Sequence, residues 1–65
     1  MIYVKRLNDR ELVLNCEHIE TIESLPDTTV TLINGKKLVL ANSIEEVVQL
    51  TIDYKKSLLV SRLDV

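Results

Sequence analysis

The sequence predicts an α+β fold: a small, strongly bent antiparallel sheet or partly open barrel of about five short strands, followed by one C-terminal helix. Three observations predict it. Apolar and polar residues alternate through most of the first two-thirds of the chain. Turn residues break that alternation at Asn8-Asp9, Pro26-Asp27 and Asn34-Gly35. After Ser43 the apolar spacing lengthens to that of a helix.

The elements follow in order. Ile2 and Val4 share a face in the first strand, Ile2 to Arg6. Asn8-Asp9 marks a turn, because both residues tolerate positive φ and bond locally. Glu11 to Asn15 is the return strand of a hairpin. Ile19 and Ile22 lie three apart, which breaks the strand period; a bulge, or a short turn near Glu17-His18, reconciles it. Pro26-Asp27 ends this segment. Thr28 to Ile33 is β-branched almost throughout, the strongest strand signal in the chain. Asn34-Gly35 reads as a two-residue type I′ turn with positive φ at both positions, and Lys37 to Leu40 returns from it.

Ser43-Ile44-Glu45-Glu46 forms a capping box, in which Ser43 accepts from the Glu46 amide and Glu46 reaches back. It starts a helix over about 44–59. On a wheel of about 100° per residue, Ile44, Val47, Val48, Leu50, Ile52, Tyr54, Leu58 and Leu59 cover about 200°. A helix lying on one sheet needs only about half of that arc. Either the surplus is a self-association or partner surface, or a small sheet curls round the helix and covers both sides. Lys55 interrupts the arc and is expected to snorkel. The whole chain, 1–65, reads as one domain, with strands within 1–41 and a short tail over 60–65.

Composition narrows the function. The chain is 65 residues long, a size at which a monomer's core is marginal and a partner subunit helps. Its single cysteine, Cys16, excludes an internal disulfide, and one cysteine with one histidine excludes an ordinary four-ligand zinc site. At 46% hydrophobic the chain is too apolar for a disordered tail. The net charge of −2 and the absence of Phe and Trp disfavour nucleic acid as a partner. No run is long enough for a membrane span, and Met1 to Arg6 lacks the apolar region of a signal peptide. A cytoplasmic protein with a free thiol is the expectation.

No catalytic constellation appears. Cys16 and His18 would share a face two apart on a strand, but no third residue orients the imidazole. The ordinary reading is a small, partly buried thiol at a strand end and an exposed histidine. Glu17, Glu20, Glu23 and Asp27 read as a solvated acidic sheet edge, not a cation site. Lys5-Arg6, Lys36-Lys37 and Lys55-Lys56 form an RNA patch only if folding gathers them; cross-strand pairing with the acids is the simpler reading. One glycine excludes a glycine-rich phosphate loop. No catalytic residue, metal ligand or cofactor is assigned.

In order and spacing, Met1-Ile2, Arg6-Leu7-Asn8, Leu14-Asn15, Ile19-Glu20-Thr21-Ile22-Glu23, Pro26-Asp27-Thr28, Asn34-Gly35-Lys36, Ser43, Glu45-Glu46-Val47-Val48 and Tyr54-Lys55 resemble the FlbD family of small flagellar proteins. The family usually has Asn-Gly at the first hairpin, where this chain has Asn8-Asp9, and often an aromatic near Leu12. The resemblance implies a non-enzymatic accessory that supports flagellar motor power and swarming through stator units. Flagellar stator or motor proteins and a second copy of the chain are then the expected partners. The candidate contacts are Val48, Ile52 and Leu59 on the helix, with Glu20, Glu23 and Asp27 at the acidic edge. The alternative is a small RNA-binding post-transcriptional regulator of motility genes, by analogy with small barrel regulators.

Overall fold

The computed structural model describes residues 1–63, with side chains described as far as Leu59. Five strands precede one helix: β1 (Ile2–Lys5), β2 (Glu11–Leu14), β3 (Ile19–Ser24), β4 (Thr28–Leu32), β5 (Lys37–Leu40) and α1 (Ile44–Leu63). β1 and β2 form an antiparallel pair, and β3-β4-β5 an antiparallel three-stranded sheet. The two sheets meet where β1 ends. Arg6 bridges to Leu40, and the Ala41 amide donates to the Lys5 carbonyl at 2.7 Å. The strands therefore make one bent, unclosed surface, and α1 follows it. This is the predicted α+β architecture.

Alternation sorts side chains as the strand period demands. Ile2 and Val4 of β1, Leu38 and Leu40 of β5, and Thr28 and Val30 of β4 turn inward and are buried. Leu14, Cys16 and Val47 complete the core, and Leu12, Ile19, Ile22, Leu32, Leu50 and Tyr54 pack around it. Thr28 is the buried polar side chain, and no buried side-chain polar atom lacks a partner among the described residues.

Between β2 and β3 the chain makes a single 3₁₀ turn, Cys16–His18. Asn15 starts it, its Oδ1 accepting from the Glu17 amide at 3.1 Å. The ladder then slips between Ile19 and Thr21, so Glu20 is an extra residue. The slip explains how Ile19 and Ile22, three apart, both reach the core. Both devices expected for this segment are present. Cys16 and His18 sit in this turn and not on a strand.

Asn34-Gly35 departs from the two-residue turn. The Gly35 amide donates to the Leu32 carbonyl at 2.8 Å and the Leu32 amide to the Lys36 carbonyl at 2.8 Å, which encloses three residues, Ile33, Asn34 and Gly35. Gly35 has φ +85°, and Asn34 does not have positive φ. This is the three-residue hairpin class, which places one residue in the left-handed region after an ordinary turn. The first hairpin is built identically over Arg6–Arg10, with Asp9 at φ +68°.

The capping box forms as expected. The Glu46 amide donates to Ser43 Oγ at 3.1 Å, and Glu46 Oε1 accepts from the Ser43 amide at 3.5 Å. Val47 is fully buried, and Leu50, Thr51 and Tyr54 continue its face toward the sheet. The helix continues past the expected end near Leu59, to Leu63. Of the tail expected over 60–65, residues 64–65 lie outside the described residues.

Candidate functional site

α1 and β3 leave a groove between them. Its walls are Ile19, Ile22 and Cys16 on one side and Val48, Thr51 and Ile52 on the other, enclosing about 260 Å³. A second hollow of about 370 Å³ follows along the helix, lined by Glu17, Lys55, Leu58 and Leu59. At that end of the groove, Lys55 Nζ lies 3.4 Å from Glu17 Oε1. Both side chains are more than half exposed, so the pair orients the Lys55 stem more than it stabilises the fold.

The groove exists because the helix carries more apolar surface than the sheet covers. Val47, Leu50 and Tyr54 face the core, whereas Val48 is 44% exposed, Ile52 41% and Leu59 58%. The sheet thus covers one side of the 200° arc and does not curl round to the other. Single exposed leucines are ordinary on a protein surface; here the exposed apolar residues form a stripe along the helix that lines a groove.

Each candidate contact has a place. Val48 and Ile52 line the groove, and Leu59 lines the hollow beyond it. Glu20 and Glu23 are exposed on β3, the strand whose Ile19 and Ile22 form the opposite wall. Asp27 is exposed in the bend after β3 and lines neither hollow. The groove therefore unites Val48 and Ile52, while Leu59 lies in the next hollow and Glu20, Glu23 and Asp27 line neither.

The reactive side chains do not converge. Cys16 is buried, and His18 is exposed with its Nε2 3.4 Å from Asn15 Nδ2. Among the described residues, no three of His, Cys, Asp and Glu gather where they could hold a metal ion. The basic pairs stand on separate elements. Lys5 reaches Asp9 of the following turn at 3.7 Å and Lys55 of the helix reaches Glu17 of the 3₁₀ turn, so two of the three pairs have an acidic neighbour, and neither neighbour is the cross-strand partner expected.

A polar relay at the root of the helix escaped sequence reasoning. Asn42 Oδ1 accepts from the Lys5 amide of β1 at 2.7 Å, and Asn42 Nδ2 donates to Glu46 Oε2 at 3.2 Å. Asn42 thereby ties β1 to the first turn of α1. The Asn42 amide, then the Ser43 backbone N–H, hold the Glu46 carboxyl below its ordinary value of 4.5. The only sequence signal was an asparagine directly before a capping box.

Among the described residues, no helix is long and apolar enough to cross a membrane. Neither the curated proteins nor the solved structures provide a significant match. The family model FlbD, described as flagellar and swarming motility proteins, matches residues 1–59, which spans β1 to β5 and the helix as far as Leu59. The chain therefore belongs to the FlbD family of flagellar and swarming motility proteins.

Proposed function

We propose that this protein is a non-enzymatic, cytoplasmic accessory of the flagellar motor that supports torque through the stator units and works by contact. The observation that carries the reading is the match to a motility family over residues 1–59. The character of the surface supports it. An apolar groove lined by Val48 and Ile52 runs between α1 and β3, and the acidic Glu17 lines the hollow that follows it. Such a surface suits a protein partner, because apolar contacts supply affinity and flanking charge supplies selectivity.

Deleting the gene tests the reading. Filament staining should show assembled flagella, while torque on tethered cells and spreading on viscous surfaces fall. Loss of filaments would move the role to assembly or expression, and full torque with normal swarming would overturn the motor reading. Glu20→Lys and Asp27→Lys are surface changes expected to spare folding. In the complemented strain they should reduce torque if the acidic edge meets the partner.

A further inference from the structure

The helix stripe is complementary to itself. Glu45 and Lys56 are both exposed, and neither takes part in an ion pair among the described residues. Their separation in sequence is close to three helical turns, so they stand on the same rim of the stripe that carries Val48 and Ile52. Lys55, by contrast, is already engaged with Glu17.

We propose that two copies of the chain pair through this stripe as antiparallel helices, with Val48 of each against Ile52 of the other and Glu45 of each opposite Lys56 of the other. A two-fold axis across antiparallel helices sets each rim against the same rim of its mate. One register then satisfies both pairings, because 48 with 52 and 45 with 56 share nearly the same midpoint. Parallel pairing would set this rim against the opposite rim of the mate and leave Glu45 and Lys56 apart. The antiparallel dimer is therefore selected by charge as well as by apolar fit.

Leu59, 58% exposed, continues the stripe beyond the central pair.

Sedimentation equilibrium on the purified full chain, from micromolar to millimolar concentration, tests the proposal. The mass should rise to twice 7.4 kDa. Ile52→Asp should leave a monomer with an unchanged circular dichroism spectrum. Glu45→Lys and Lys56→Glu should each weaken the dimer about tenfold, since symmetry turns two attractions into two repulsions. The double exchange, Glu45→Lys with Lys56→Glu, should restore it, and this rescue is decisive even if Ile52→Asp fails to fold. A chain that stays monomeric throughout would overturn the proposal and leave the groove to a different protein. So would a dimer indifferent to both charge reversals, or a double exchange without rescue.

Discussion

The hairpins at Arg6–Arg10 and Leu32–Lys36 close with the same pair of backbone hydrogen bonds, yet they fill the left-handed position with different residues, Asp9 and Gly35. The asparagine before that position does the same work in both. Asn8 Oδ1 accepts from the Arg10 amide at 3.1 Å, and Asn34 Oδ1 from the Lys36 amide at 3.0 Å. Both turns also expose an apolar residue, Leu7 in one and Ile33 in the other. The difference isolates one term. Gly35 enters positive φ without a Cβ penalty, whereas Asp9 meets that penalty, softened by its short polar side chain. The asparagine supplies the turn's shape, and the next residue sets its conformational cost.

The largest test removes glycine's freedom. A Cβ at Gly35 would find nothing within 4 Å, so any cost of substitution is conformational and not a clash. Gly35→Val should destabilise the fold by about 2 kcal/mol, read from urea midpoints at unchanged slope. A shift near zero would mean the second turn can reshape and the likeness of the two turns is superficial.

Asn8→Ala and Asn34→Ala sharpen the comparison. Each removes one side-chain bond to an amide two residues on and should cost about 1 kcal/mol. The two midpoints should agree. A marked inequality would show that the asparagines do not share one role.

Asp9→Gly should move stability upward by about 0.5 kcal/mol. Relief at φ +68° outweighs the added freedom of the unfolded chain and the loss of the exposed Lys5–Asp9 pair. A decrease would show that Asp9 contributes more than its backbone conformation costs.

The smallest effect contrasts the turns with the helix root. Neither turn bonds its backbone through a carboxylate, whereas the root does so through Glu46. The folded Glu46 pKa is lowered, so its contribution is present above the unfolded value near 4.5 and is lost as pH falls through the lower folded value. Thermal melts should show an acid-side loss below about pH 4.5 that is reduced in Glu46→Gln. An identical acid limb in Glu46→Gln would deny the relay that role.

Legibility varied with the range of the forces involved. Strands were readable because alternation and β-branching act within a few residues, and Ser43 with Glu46 announced the helix start in the same way. The Asn34-Gly35 turn was misjudged in length because both hairpin classes accept that dipeptide. Hydrogen bonding across the loop decides between them. The Asn15 side chain drew Cys16 and His18 into a 3₁₀ turn, which alternation alone does not reveal. The helix ran past Leu59 because no glycine or proline follows it. At the candidate site, the wheel displayed the surplus apolar arc but not which half would stay uncovered. That depended on the size and bend of the sheet, which are tertiary properties.

In mechanical terms α1 is a cantilever. Its root is bolted to β1 through Asn42, and its first three turns are clamped by Val47, Leu50 and Tyr54 against the sheet. The twenty-residue rod is about 30 Å long, so its last third overhangs the clamp. A sideways load at Leu59 therefore acts on the clamp through a lever arm of several ångströms. A tilt of about 10° at the root would displace the tip by about 5 Å.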